Sequence, residues 1–296
     1  MQQILSCESR PLGRSGIQVS PIAWGMWRLS GDVAAARALA EAALETGITL
    51  FDTADIYGMA RRGQGDDAES LFGRVLAETP GLRERIVLAT KGGIVPDVPY
   101  DSSPEYLERA IDASLRRLGV DHVDLWQIHR PDLLEHPQEL AATLERLVAS
   151  GKTRAVGVSN FTPAQVAALD HFLTIPLAST QPEFSPLHTA PLWDGTLDAA
   201  MERDYAVLAW SPLGGGRVAE GQGGASPLLA AKAEETGVSV AAATYAWVMA
   251  HPARIIPIVG SQRAERIRAA GDAFKVSWTR AEWYAVLQAA TGEKLP

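Results

Sequence analysis

Eight short apolar runs alternate with longer amphipathic stretches along almost the whole chain, and this alternation restricts the fold more than any other feature. The strand-like runs are Ile22–Trp27, Ile48–Asp52, Ile86–Lys91, Val123–His129, Thr153–Ser159, Leu177–Gln181, Ala206–Trp210 and Arg254–Val259. The helix-like stretches between them are Asp32–Thr46, Asp67–Glu78, Pro104–Leu118, Pro137–Ser150, Pro163–Phe172, Leu192–Arg203 and the pair Pro227–Thr236 and Val240–Ala250. Ala264–Phe274 and Thr279–Ala290 follow the last run. Repeated strand–helix units predict a parallel sheet. The runs are too apolar for one exposed face, as expected when helices cover the outside. The rival is an open doubly wound sheet, which usually carries Gly-x-Gly-x-x-Gly after its first strand. Trp24-Gly25-Met26-Trp27 offers no such turn. The expectation is therefore an α/β fold, a (β/α)8 TIM barrel formed as a single domain by residues 1–296. A β-hairpin within Ile4–Val19 would precede the barrel, and extra C-terminal helices would follow it.

Local signals agree with these boundaries. Gly47, Gly119, Gly151 and Gly237 stand where left-handed helix caps are needed. Ser103-Pro104 and Thr162-Pro163 place a polar cap before a proline at the first helical position.

The chain has 296 residues, 47% of them hydrophobic, which is ample for one barrel core. Its net charge of -8 argues against a nucleic-acid partner. A lone cysteine, Cys7, allows no internal disulfide and fits a reducing compartment. Neither a basic, apolar leader nor a membrane-length apolar run is visible, so a cytoplasmic protein away from membranes is expected. Nothing in the sequence sets an oligomeric state.

In a parallel barrel, the C-terminal strand ends open on one face, where active sites sit. Asp52, Lys91 and His129 end the second, third and fourth runs, and Tyr57 lies just beyond the second. These four offer an acid, a cation to tune it, a carboxylate to hold the cation, and an imidazole. Hydride addition to a carbonyl leaves negative charge on oxygen, and a nearby proton donor lowers that barrier. A neighbouring ammonium would lower a tyrosine pKa from about 10. No side chain donates hydride, so a bound carrier is required. No Cys/His cluster suggests a metal.

Barrels bind phosphates with the loops after strands seven and eight. Here those loops are Ser211-Pro212-Leu213-Gly214-Gly215-Gly216-Arg217 and Gly260-Ser261-Gln262-Arg263, the second leading to Arg266. Their glycines and arginines suit a pyrophosphate.

The motifs Asp52-x-Ala54-x-x-Tyr57-Gly58, Thr90-Lys91-Gly92-Gly93 and Gln127-Ile128-His129-Arg130-Pro131-Asp132, in this order, resemble the aldo-keto reductase family. Gly157-Val158-Ser159-Asn160-Phe161 and the loop from Trp210 to Arg217 extend the resemblance from about Leu12 to Trp283. The resemblance implies an NADP(H)-dependent oxidoreductase that reduces aldehydes or ketones. Tyr57 would be the acid–base, supported by Asp52, Lys91 and His129. It further implies that Trp210 stacks on the nicotinamide, that Ser159, Asn160 and Gln181 hold its carboxamide, and that Ser261 and Arg266 meet a 2′-phosphate. Gly25, Met26, Trp27 and Asp52 would also face the cofactor. The chain departs from the family pattern at Gly260, where a lysine is common, and at Ala269-Ala270, where an acidic or amide pair is common.

Two other functions fit parts of the sequence. A metal-dependent lyase or isomerase suits a barrel with carboxylates, but leaves both glycine-rich loops and Trp210 without a role. A non-catalytic or slow NADP(H)-binding redox-sensing subunit is the other alternative. Finally, Arg61-Arg62 follow Tyr57 closely and would lie near the rim of the mouth, where they read as a solvated loop offset by Asp66 and Asp67.

Overall fold

The structure is a computed structural model that describes residues 5–58 and 67–295. The loop with Arg61 and Arg62 therefore lies outside the described residues. The hairpin strands are β1 (Arg10–Pro11) and β2 (Gln18–Val19). The barrel strands are β3 (Ala23–Gly25), β4 (Leu50–Asp52), β5 (Val87–Gly92), β6 (Val123–Ile128), β7 (Thr153–Ser159), β8 (Leu177–Gln181), β9 (Ala206–Ala209) and β10 (Ile256–Val259). They close in the order β10-β3-β4-β5-β6-β7-β8-β9, all parallel. The helices are α1 (Val33–Glu45), α2 (Ala68–Glu78), α3 (Pro104–Leu118), α4 (Pro137–Ala149), α5 (Pro163–Phe172), α6 (Thr196–Arg203), α7 (Ser226–Thr236), α8 (Val240–Met249), α9 (Ala264–Ala270) and α10 (Arg280–Thr291). None of the described helices is long and apolar enough to cross a membrane.

Period-two alternation sorts the strand residues into two cores. Trp24, Phe51, Leu88, Trp126, Val156 and Val158 point outward and pack under the helices. Ala23, Leu50, Ala89, Leu125, Ala155 and Ile258 form the lumen core. Leu12, Ile17 and Val19 of the hairpin join that lumen cluster, so the hairpin plugs the N-terminal end of the barrel. The hairpin leaves the C-terminal end of the barrel uncovered.

The expected caps are present. Ser103 and Thr162 accept from the third residue of their helices, and Gly47, Gly119, Gly151 and Gly237 all have positive φ. Two expected helices are shorter than their apolar pattern suggests. Leu192–Arg203 is a 3-10 turn at Ala190–Leu192 followed by α6, because Gly195 is left-handed and the Asp194 carboxylate takes the Thr196 N–H. Ala264–Phe274 ends as a helix at Ala270 and tightens into a 3-10 turn over Gly271–Lys275. At Gly271 the chain approaches Thr46 so closely that a Cβ would lie 2.7 Å from its methyl group.

Candidate functional site

Asp52, Lys91, Tyr57 and His129 meet at the C-terminal mouth. The Lys91 ammonium is fully buried and donates to Asp52 Oδ2 at 2.7 Å, to the Thr53 carbonyl at 2.8 Å and to Tyr57 Oη at 3.2 Å. Lys91 also stands over the Tyr57 ring, 4.9 Å from its centroid. The His129 ring meets the Tyr57 ring edge to face, with centroids 5.6 Å apart.

The Asp52 carboxylate is almost fully buried yet well supplied with donors. Its second oxygen accepts from Gln127 at 3.3 Å and Gln181 at 3.1 Å. Gln127 in turn accepts from Ser179 and Gln181. The sequence reading gave Gln127 and Ser179 no place in the site. For Gln127 a signal was available, since the alternation that turns His129 inward turns Gln127 inward too. Ser179 had the same signal, since it lies two residues before Gln181 on β8.

Electrostatics at the mouth follow from burial. Burial pushes the Tyr57 hydroxyl above its ordinary pKa, and Asp52 adds to the rise. Lys91 is the largest opposing influence, but it does not reverse the direction. The expected net lowering of Tyr57 is therefore corrected: desolvation of a phenolate outweighs one nearby ammonium. Lys91 itself is held above its ordinary value because Asp52 and Tyr57 outweigh its burial. Burial, with Lys91 and Arg130, pushes His129 down to about 2, so its imidazole is neutral at physiological pH. Its Nδ1 is buried without a hydrogen-bond partner among the described residues.

A second group of expected residues forms one hydrogen-bonded chain. Trp210 Nε1 donates to Asn160 Oδ1 at 2.9 Å. Asn160 Nδ2 donates to the His129 carbonyl at 3.1 Å and to Ser159 Oγ at 2.9 Å. Ser159 Oγ donates to the Gln181 carbonyl at 2.8 Å. Trp210 is thus fixed at its ring edge and tied to the strand that carries His129. Asn160 and Ser211 hold left-handed backbones, at φ 61° and 49°. Such strain in non-glycine residues clusters where function demands an unusual direction of the chain.

The two glycine-rich loops lie side by side, because β9 pairs with β10. In the first, Pro212 and Gly214 are buried while Gly215 faces outward, and side chains added at Gly215 or Gly216 would meet open space. Leu213 is half-buried, and Arg217 Nε donates to the Gly214 carbonyl at 2.8 Å, shaping the loop from within. In the second, Gly260 also borders open space. Ser261 is half-buried and its carbonyl accepts from Trp24 Nε1. The arginines around it differ in their partners. Arg263 pairs with Glu265 and Arg268 with Glu45, whereas exposed Arg266 has no carboxylate partner among the described residues. A guanidinium left unpaired beside an open glycine loop fits a phosphate.

The residues after β3 close the ring. Trp27 is 60% exposed at the mouth, with the Arg28 guanidinium 4.9 Å from its ring. The Arg28 side chain reaches within 3.5 Å of the Gly215 carbonyl. The Gly25 carbonyl accepts from Gln262. Met26 packs in the outer core; its N–H donates to Asp52 O and its carbonyl accepts from Leu29.

Fold and site together define a barrel oxidoreductase. The sequence profile of the Aldo/keto reductase family matches residues 21–290. The chain belongs to that family. It is 56% identical over 294 residues to the 6-dehydroglucose reductase of Novosphingobium aromaticivorans, covering 97% of each chain. It is 40% identical to the 6-dehydroglucose reductase of Agrobacterium fabrum, over 94% of this chain and 97% of that one. Among solved structures, the glycerol dehydrogenase AKR11B4 from Gluconobacter oxydans superimposes with a TM-score of 0.84 at 27% identity, covering 99% and 98% of the two chains.

Proposed function

We propose that this protein reduces a carbonyl compound to an alcohol with NADPH, and that Tyr57 is the general acid. The observation that carries this reading is the buried line Asp52–Lys91–Tyr57, with the neutral His129 ring against Tyr57. The two glycine-rich loops, with Arg266 and Trp210, would hold a nicotinamide dinucleotide, which would supply the hydride for the carbonyl carbon. As the carbon–oxygen π pair moves onto oxygen, Tyr57 Oη gives that oxygen its proton, and a solvent proton later restores the phenol. The phenolate left behind faces the Lys91 ammonium. That ammonium is already fixed by Asp52 and the Thr53 carbonyl, so little reorganisation accompanies the proton transfer. A neutral His129 can donate one N–H to the same oxygen without competing for the proton. The names of the two relatives above point to a sugar oxidised at its sixth carbon, which is an aldehyde, as the substrate class.

The test is oxidation of NADPH, followed by its near-ultraviolet absorbance, with a panel of carbonyls that includes sugar aldehydes. Tight NADPH binding with no turnover of any carbonyl would instead favour a redox-sensing role.

NADPH should be preferred over NADH, with Arg266 as the main cause, because a guanidinium grips a phosphate through two charge-assisted hydrogen bonds. In Arg266→Ala the NADPH Kd is expected to rise about tenfold or more, the scale of one lost charged hydrogen bond, while NADH binding barely changes. Equal weakening of both would place Arg266 away from the 2′-phosphate. Trp210 should stack on the nicotinamide. NADP⁺ is therefore expected to quench part of the tryptophan fluorescence, and Trp210→Leu should lose that part. An unchanged quench amplitude in Trp210→Leu would assign it to another of the 8 tryptophans.

A further inference from the structure

The turn that carries Tyr57 holds another carboxyl that proton delivery does not use. Asp55 is only 9% exposed, and its Oδ1 is buried without a hydrogen-bond partner among the described residues. Its N–H donates to the Lys91 carbonyl at 3.0 Å, which pins the turn to β5. Its side chain lies behind β5, away from the lumen. A Cβ on Gly92 would come within 3.4 Å of Asp55 Oδ2 and 2.6 Å of the outward-facing Trp126 ring. Glycine at this position in Thr90-Lys91-Gly92-Gly93 therefore leaves room for both.

A second carboxyl stands close by. Glu69 of α2 is fully buried, accepts from the Thr90 hydroxyl and pairs with Arg117 of α3 at 2.6 Å. Asp55 and Arg117 line a cleft of ≈ 340 Å³ together with Tyr106 and Arg109 of α3. That cleft gives Asp55 an approach for solvent protons outside the barrel mouth.

We propose that Asp55 is a positioning residue for the proton donor: it holds the Tyr57 turn on β5 and makes the Tyr57 hydroxyl sensitive to the charge of the Asp55–Glu69 carboxyl pair. The proposal rests on Tyr57 being the acid. Burial pushes Asp55 up to about 7, Glu69 adds to the rise, and Arg117, the Ile56 N–H and Lys91 oppose it. Glu69 is also raised by burial, against Arg117. Two carboxyls around one guanidinium titrate as a coupled pair. The sign at Tyr57 is fixed: an ionised Asp55 disfavours the phenolate and raises the tyrosine further. As pH climbs past about 7, Asp55 ionises and Tyr57 holds its proton more firmly. Reduction, which needs the phenol, is protected; alcohol oxidation, which needs the phenolate, is held back. His129, pushed down to about 2, supplies no inflection in this range.

The experiment is kcat/KM against pH, for carbonyl reduction and for the reverse alcohol oxidation, in wild type, Asp55→Asn and Glu69→Gln. In Asp55→Asn the inflection near pH 7 should vanish. The alkaline limb of both profiles should also move down by about half a unit or more, well within what one buried charge can impose. In Glu69→Gln that inflection should move to lower pH, because the Glu69 charge that raises Asp55 is gone while Arg117, still paired with Asp67 at 3.8 Å, keeps opposing the rise. Profiles of Asp55→Asn that scale evenly at every pH, with no shift, would reduce Asp55 to a structural role. If Asp55→Asn does not fold, an unmoved inflection in Glu69→Gln overturns the proposal by itself. Neither result bears on Tyr57, whose role is tested separately by its removal.

Discussion

Tyr57→Phe should lose about 10²–10⁴-fold in carbonyl reduction, the usual worth of a positioned general acid, while NADPH binds almost as before. The substitution keeps the ring and its contacts: His129 stays against its edge and Lys91 over its face. Lys91 loses one of three hydrogen-bond acceptors but keeps Asp52 and the Thr53 carbonyl, so the buried ammonium stays in place. The loss should therefore fall on kcat, with thermal stability near that of the parent. Steady-state kinetics beside a cofactor titration check this. Activity within a few-fold of the parent would remove Tyr57 from the role of acid and leave the mouth as a binding site whose proton comes from elsewhere.

Asp52→Ala should be the most destabilising single change at the mouth. Its carboxylate accepts from Lys91, Gln127 and Gln181 in a region that excludes water. Removing it leaves a fully buried ammonium without its counter-charge and takes one acceptor from each of the Gln127 and Gln181 amides, of which Gln181 keeps Gln127. Breaking one side of a buried ion pair typically costs about 3–5 kcal/mol. The folded-state pKa of Lys91 is raised, so the contribution of the pair is intact at neutral pH and is lost only when pH rises through that raised value. Urea denaturation at neutral pH should show a lower midpoint at nearly constant slope. A loss below about 1 kcal/mol, the range of exposed pairs, would mean that water reaches Lys91 more freely than its burial implies. Reduction should weaken as well, because only the Thr53 carbonyl and Tyr57 itself then fix the Lys91 ammonium, with no carboxylate to aim it.

Much of this architecture is written in local pattern. The runs at Thr153–Ser159 and Leu177–Gln181 coincide with β7 and β8 residue for residue, because alternating burial and flanking turn residues are properties of short segments. Ser103 before Pro104 and Thr162 before Pro163 start helices for equally local reasons. Strand-end positions brought Asp52, Lys91 and His129 to one face without any knowledge of their contacts. Where a glycine or an Asp–Gly turn competed with an apolar pattern, as at Gly195 and Gly271, the pattern overran the true helix end.

The sequence by itself therefore determined the barrel, the end on which chemistry-bearing side chains gather, and the kinds of group that gather there. Period and turn chemistry act over a few residues and can be read without neighbours. The tertiary structure decided what those groups are to one another. Closure of the barrel placed Gln127 and Gln181 on Asp52, linked Trp210 through Asn160 to the strand of His129, and left Arg266 without a carboxylate partner among the described residues while Arg263 and Arg268 took partners. It also set the direction of the Tyr57 shift and brought Asp55 beside Glu69, because desolvation depends on everything packed around a group and not on its neighbours along the chain.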